Sequence, residues 1–228
     1  MLYDERAVRD NLRNREGKRV FYLAEGDQLT PSARDWLRHN RIEVLPAGEA
    51  RPGRYRLLGG GFCKEKPEHM THLNAQLLAP KTHPRIAFRG MLDGLEAELI
   101  LCKLKTGIAA LQEALALARR LMGCDVLEQP VGDFTLGGLT AAQLRQQSQF
   151  PQEVFGIAHF MPEAADGEVM AWLNRCRCVV RQTELAACRA YEKPDGSCAR
   201  PDMVEALNRM SSFLYILMLK EKAKAMDN

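Results

Sequence analysis

The chain has 228 residues, enough for one ordinary domain with an appendage or for two small ones. Apolar residues make up 46% and charged residues 27%, the balance of a globular protein with a real core. The net charge of +3 is too weak to argue for nucleic acid as a partner. The longest apolar run, Phe213 to Leu219, covers seven residues, far short of the roughly 18 needed to cross a bilayer. The N-terminal segment MLYDERAVRDNLRNREGKR mixes charges of both signs and has no apolar stretch, so no secretory signal is expected. Seven cysteines, with Cys176-x-Cys178 but no CxxC pair, read as reduced thiols in a cytosol-like compartment.

Residues 1–62 differ from the rest and read as a small α/β module. A charged helix is expected from Glu5 to Asn14, followed by the apolar run Arg19 to Ala24. Thr30 suits an N-cap and Pro31 the first helical position, where its missing N–H costs nothing. Asn40 is expected to end that helix in the left-handed conformation, with Ile42 to Leu45 as the next strand. The resulting βαβ-like unit closes at PGRYRLLGGGF, where Gly59-Gly60-Gly61 marks a boundary. Those glycines lack the spacing of a dinucleotide fingerprint, so they do not argue for phosphate binding.

Residues 63–228 read as a helical bundle of about five helices, the bundle proper starting at Pro84. Phe88, Leu92, Leu95, Leu99 and Cys102 form one stripe, interrupted at Gly107. Ile108, Leu111, Leu115, Ala118 and Met122 form a second, expected to end near Gly123. Thr140 and Gln143 have the spacing of a capping box for a third helix through Gln147. Met170 to Ala187 mark a fourth, and Pro201 opens a fifth. Phe213, Tyr215 and Ile216 widen the fifth helix's apolar surface, so it should lie centrally or also face another subunit.

Polar residues border these stripes. Arg177, Arg181 and Glu184 share one face of the fourth helix. They can form a solvated Arg–Glu edge, or an anion site in which Glu184 holds an arginine or meets a ligand hydroxyl. Arg209, next to Asn208, needs a negative partner if it is buried beside so much apolar surface. Asp93 can pair with Arg89 one turn earlier, or with an arginine of another chain. Cys63, His69, His72 and His83 are zinc-ligand types, but their spacing matches no compact zinc motif. Cys176, Cys178 and Cys188 read as core or border residues, with no nearby histidine to make a thiolate nucleophile.

Three phrases stand in order: KPEHMTHLNAQLLAPKTHPRIAFRGMLDGLEAEL (66–99), RQTELAACRAY (181–191) and RPDMVEALNRMSSFLYILML (200–219). Together they resemble the ethanolamine-utilisation type of ATP:corrinoid adenosyltransferase, a group related to the propanediol-utilisation type. Members of the latter carry K-x-(D/H)-P-x-I…G-x-x-D-E-L, R-x-x-x-R-x-x-E-R and Y-L-N-R-L-S-D elements. Their counterparts here are Lys81 to Leu95, Arg177 to Leu185 and Ala206 to Ser212.

The resemblance implies transfer of the 5′-deoxyadenosyl group of ATP to cob(I)alamin, with Mg2+ accompanying the triphosphate. By alignment, Lys81, Arg181, Asn208 and Arg209 are ATP contacts and Glu184 is the family carboxylate. Asp93 and Arg177 match a salt bridge between subunits, which implies a trimer or dimer with the active site at the interface. His159-Phe-Met-Pro162 resembles the segment whose phenylalanine closes the lower corrin face, and the alignment leaves His159 and Phe160 both open for that place. The T-R-T-G-D-x-G phosphate loop of the propanediol type is absent; Met70-Thr71-His72 stands in its place, with Thr71 the ATP contact expected there. Two further departures are plain: Ser212 replaces an aspartate, and only Cys63 remains of a cysteine-rich metal cluster found in some relatives, so no structural metal is expected. A flavoprotein reductant and a cobalamin-dependent lyase are the implied partners, with no nucleic acid and no membrane. The implied location is cytoplasmic, and residues 1–62 fit partner docking or targeting to a bacterial microcompartment. The alternatives are a non-catalytic corrinoid carrier and a helical docking protein.

Overall fold

A computed structural model describes residues 2–15, 18–23, 26–46, 55–60, 62–63, 65–75 and 77–226. They divide into two compact units, Met1–Glu68 and His69–Asn228.

In the first unit, β1 (Leu2–Tyr3) leads into α1 (Glu5–Asp10), capped by Asp4, whose carboxylate accepts from the Ala7 N–H at 2.8 Å. The helix stops four residues before the expected Asn14, because the Asn11 side chain donates to the Ala7 carbonyl and ends it. Asn14 belongs instead to β2 (Arg13–Arg15), antiparallel to β3 (Lys18–Leu23). β4 (Gln28–Leu29) runs parallel to β1. Thr30 and Pro31 then open α2 (Pro31–His39), the Thr30 hydroxyl accepting from the Ala33 N–H at 3.3 Å. β5 (Glu43–Pro46) returns parallel to β3, so β3, α2 and β5 form the expected βαβ crossover. Asn40 is not left-handed (φ −88°); its side chain satisfies the Trp36 carbonyl at 2.8 Å, and Arg41 takes positive φ at 53°. β6 (Tyr55–Leu57) pairs antiparallel with β7 (Phe62–Cys63). Ala24 and Gly61, both named in the sequence reading, lie outside the described residues. Val8, Phe21, Leu29, Ala33, Leu37 and Ile42 make this unit's small core.

The second unit opens with the β8 (Met70–His72) and β9 (Leu77–Pro80) antiparallel pair. α3 (Pro84–Thr106) follows, with Pro at its start and Gly107 at its C-cap in the left-handed region (φ 69°) that glycine alone adopts freely. α4 (Leu111–Val126) starts after Ile108 and runs through Gly123 rather than ending there. The reason is tertiary: the last turn carries the fully buried Asp125, which is anchored to α3 by Arg85 and Arg89. A hairpin of β10 (Thr135–Leu136) and β11 (Leu139–Thr140) precedes α5 (Ala141–Gln149), whose capping box at Thr140 and Gln143 is present. Gly137 in that hairpin faces the Phe213 ring, which an added Cβ would meet at 2.9 Å. The sequence reading did not separate α6 (Pro151–Phe155), which Pro151 restarts after Phe150. A single 3-10 turn (Ala164–Asp166) leads to α7 (Gly167–Tyr191) and then α8 (Pro201–Met226).

This second unit is the expected mainly α helical bundle, joined in the chain to a small N-terminal α/β module. α7 packs against both α3 and α8, and α8 also meets α5 and α6. Every residue of α8 from Phe213 to Leu219 is buried except Tyr215, which is half-buried. The surplus apolar surface of this helix is therefore covered within one protomer.

Asp202 at the start of α8 accepts from Arg200 and, at 3.0 Å, from the Val131 N–H. The Arg200 hydrogen bond, against a burial cost, lowers its pKa to about 2. A depressed carboxylate adds stability that is complete above its unfolded pKa of about 3.9 and is lost as pH falls toward the folded value. Asp202→Asn should therefore cost about 1–2 kcal/mol at pH 7, discounted for partial exposure, and the deficit should shrink between pH 4 and 2. Urea titrations across that range measure it.

Candidate active site

α7 and α8 place the polar residues along one seam of the bundle. Arg177, Arg181 and Glu184 project from α7, and Asn208 and Arg209 from α8. Glu184 holds not an arginine but Asn208, whose amide donates to its carboxylate at 2.8 Å. Asn208 in turn accepts from the Arg209 guanidinium at 2.5 Å. The chain Glu184–Asn208–Arg209 thus fixes three polar groups whose sequence spacing alone does not join them.

Two hollows flank this chain. One, of about 790 Å³, is lined by His159, Phe160, Arg177, Arg181 and Tyr215, with Met161 at its edge 84% exposed. The other, of about 810 Å³, is lined by Arg145, Arg189, Glu205 and Arg209. They share Gln149, Glu184, Leu185 and Asn208, so the Glu184–Asn208 hydrogen bond lies on the ridge between them.

The electrostatics of the seam favour an anion. Burial and then repulsion from Arg145 lower the Arg209 pKa, with partial relief from Glu205 and Glu184. The Nε atoms of Arg177 and Arg209 are both buried with no hydrogen-bond partner among the described residues. Unpaired buried donors on a cation are costly and call for an acceptor that the described residues do not supply. The Arg177 guanidinium lies 5.7 Å from the Tyr215 ring centroid, a cation–π contact that holds it beside the first hollow.

The His159–Phe160 segment is built around Tyr215. Both rings stack with it at 5.8 Å, with interplanar angles of 15° for His159 and 29° for Phe160. His159 is exposed and Phe160 half-buried. Lys222 sits 4.5 Å from the Phe160 ring centroid and is itself tied to Asp166 at 2.8 Å.

Three candidates line neither hollow. Thr71 lies in β8, half-buried; Lys81 is exposed just after β9; Asp93 is exposed on α3. Asp93 makes no ion pair among the described residues, since Arg89 pairs with Asp125 at 2.5 Å. The intrahelical Arg89–Asp93 reading is thereby removed. Arg89 also donates to the carbonyls of His72 and Leu73, holding the backbone directly after Thr71. His83 serves as the N-cap of α3, its Nδ1 accepting from the Arg85 N–H at 3.2 Å. No group of three or more His, Cys, Asp or Glu is placed to hold a metal ion among the described residues. Cys176 is buried, whereas Cys178 and Cys188 are exposed.

Sequence reasoning did not reach Arg145 or Asp125, and it read Tyr215 only as apolar surface. Tyr215 had a signal: one hydroxyl inside Phe213 to Leu219, which must find a partner when covered.

An arginine-lined seam on a helical bundle thus opens beside the aromatic side chains of His159, Phe160 and Tyr215. The chain belongs to the cobalamin adenosyltransferase family, whose model matches residues 62–221. Among curated proteins it is similar to the corrinoid adenosyltransferase EutT of Escherichia coli (strain K12), at 29% identity over 92% of this chain and 88% of that protein. EutT of Salmonella typhimurium (strain LT2) matches at the same identity and coverage.

Proposed function

We propose that this chain transfers the 5′-deoxyadenosyl group of ATP to the cobalt of a reduced corrinoid, as a corrinoid adenosyltransferase. The observation that carries this reading is the pair of adjoining hollows divided by the Glu184–Asn208 hydrogen bond. ATP lies along Arg181, Glu184, Asn208 and Arg209, and the corrin lies over Phe160. The Co(I) electron pair forms the cobalt–carbon bond at C5′ as the C5′–O bond breaks, its electrons leaving on the triphosphate. No side chain need act as nucleophile or move a proton. The protein's task is alignment and neutralisation of the leaving group, the two effects that fixed arginines provide.

Phe160 fits the lower corrin face better than His159, because both His159 ring nitrogens already have protein partners and a phenyl ring offers cobalt no ligand. Magnesium fits as a passenger on the triphosphate, since it needs few protein ligands, and Glu192 and Glu205 line the second hollow. When bound, it would neutralise part of the leaving charge.

The active site is completed by a second copy of the chain, in a trimer or dimer, with Asp93 of one copy meeting Arg177 of the next. The exposed Asp93 and the half-buried Arg177, neither of which makes an ion pair among the described residues, support this arrangement. Thr71 and Lys81 then approach the triphosphate. Residues 1–62 act as a docking or targeting module and residues 63–228 carry the catalysis, the module serving a flavoprotein reductant, a cobalamin-dependent lyase or a microcompartment. No described helix is long and apolar enough to cross a membrane.

Anaerobic mixing of the protein with cob(I)alamin and Mg·ATP tests the reading. The Co(I) bands should convert to those of adenosylcobalamin. Arg181→Ala should weaken ATP binding by about ten- to a hundredfold, the worth of a charged hydrogen bond. Corrinoid binding without conversion would favour a carrier instead.

A further inference from the structure

We infer that Tyr215 is a positioning residue that keeps the His159 imidazole off the cobalt and so leaves the lower corrin face to Phe160. The inference rests on the corrinoid reading of the first hollow. His159 and Phe160 lie in the irregular segment between α6 and the 3-10 turn, so no helix or strand ladder fixes which ring faces the hollow. Tyr215 does. It stands on α8 between buried Leu214 and Ile216, the least mobile kind of platform in the bundle.

One hydroxyl serves both neighbours. The Phe160 N–H donates to the Tyr215 hydroxyl at 3.3 Å, and His159 Nδ1 approaches the same oxygen at 3.3 Å. His159 Nε2 meets the Gln149 carbonyl at 3.1 Å. A carbonyl can only accept, so Nε2 carries the proton and Nδ1 holds the ring's one lone pair. That lone pair is directed at the Tyr215 hydroxyl. Whichever of the two groups owns the proton between them, Nδ1 has no electrons free for a metal while the contact stands.

The consequence is chemical. Co(II) with an axial nitrogen is harder to reduce than four-coordinate Co(II), because the added ligand raises the orbital that receives the electron. An exposed histidine next to the corrin face would supply that nitrogen and oppose formation of the Co(I) nucleophile. Tyr215 removes the threat and, through the Phe160 N–H, seats the residue that carries no lone pair. The Lys222 contact with the Phe160 ring, anchored by Asp166, steadies that ring.

The probe is cob(II)inamide, which has no nucleotide base, so any axial nitrogen must come from the protein. Electron paramagnetic resonance of the wild-type complex with Mg·ATP should show an altered cobalt signal without nitrogen splitting. Tyr215→Phe, which keeps the ring, its stacking and the Arg177 contact, should add the triplet splitting of one axial nitrogen and lose turnover. Tyr215→Phe combined with His159→Ala should lose that splitting and regain turnover relative to Tyr215→Phe alone. Two results overturn the inference alone: nitrogen splitting in the wild type, or bound corrinoid without splitting in Tyr215→Phe. A cobalt signal that the wild-type protein leaves unchanged would instead overturn the corrinoid reading, and the inference with it.

Discussion

Asp93→Ala and Arg177→Ala are each expected to lose turnover by about a hundredfold or more and to regain part of it when the two proteins are mixed. Within one chain neither residue has an ion pair to lose among the described residues, although Arg177 does have its cation–π contact with Tyr215. Asp93 is exposed on α3 and makes no ion pair among the described residues, while Arg177 keeps a buried, unpaired Nε. Around Asp93, the outward face of α3 carries Ala87, Gly90, Gly94 and Ala97, then Leu101 and the 77% exposed Leu104. Such a face lets another backbone approach closely and offers apolar area at its far end. If one copy's Asp93 meets the next copy's Arg177, each single variant strands a charge at every interface, which costs roughly 2–5 kcal/mol. Random mixing of the two variants leaves about one interface in four with both wild-type residues, as the geometry of repeated interfaces requires. Turnover in the mixture should approach that share of wild type once subunits have exchanged. Two variants that fold and exchange, yet stay inactive together, would place the pair's role inside a single protomer. A same-chain charge swap, Asp93→Arg with Arg177→Asp, provides the complementary check.

Where the sequence was legible, the signal was local. Pro84 and Gly107 bracket α3 because one residue suits the first helical turn and the other the left-handed cap. Thr140 and Gln143 announce α5 through two reciprocal hydrogen bonds three residues apart. The Arg177, Arg181 and Glu184 face was equally visible, being set by helical spacing within α7. Where the reading went wrong, a longer-range or side-chain partner intervened. Asn11 ended α1 early by bonding the Ala7 carbonyl. Gly123 failed to end α4 because Asp125, two residues on, is held by partners 36, 40 and 66 positions away. Tyr215 passed as apolar surface because its hydroxyl bonds the 159–160 segment, some 55 residues earlier in the chain. Composition and periodicity contain no record of such pairings. Recognition of the family supplied the chemistry, and the packing supplied the residues that hold it in place.

Asp125 carries the largest expected stability effect. It is fully buried at the end of α4, yet it accepts from Arg85 at 2.9 Å, from Arg89 at 2.5 Å and from the Tyr191 hydroxyl at 2.6 Å. Burial alone would raise its pKa; the Tyr191 and Arg89 hydrogen bonds and the Arg85 charge outweigh that and hold it below the ordinary value. Burial, followed by the Asp125 hydrogen bond, pushes the Tyr191 hydroxyl up. Removing one member of a buried ion-pair cluster leaves the others uncompensated, so Asp125→Ala should destabilise the protein by about 3–5 kcal/mol. Asp125→Asn, which keeps the shape and can still accept one hydrogen bond, should cost less. A group with a depressed folded pKa contributes fully above its unfolded pKa, about 3.9, and loses that contribution as pH falls toward the folded value. The gap between wild type and Asp125→Asn should therefore be constant at neutral pH and narrow below pH 4. The same cluster should also reach the chemistry, because Arg89 clamps the carbonyls of His72 and Leu73 directly after Thr71. If that clamp positions the segment for the triphosphate, Asp125→Asn will raise the KM for ATP at temperatures where it remains folded, with kcat less affected. An unchanged KM in a folded but weakened protein would confine Asp125 to the stability of the bundle and detach Thr71 from the ATP site.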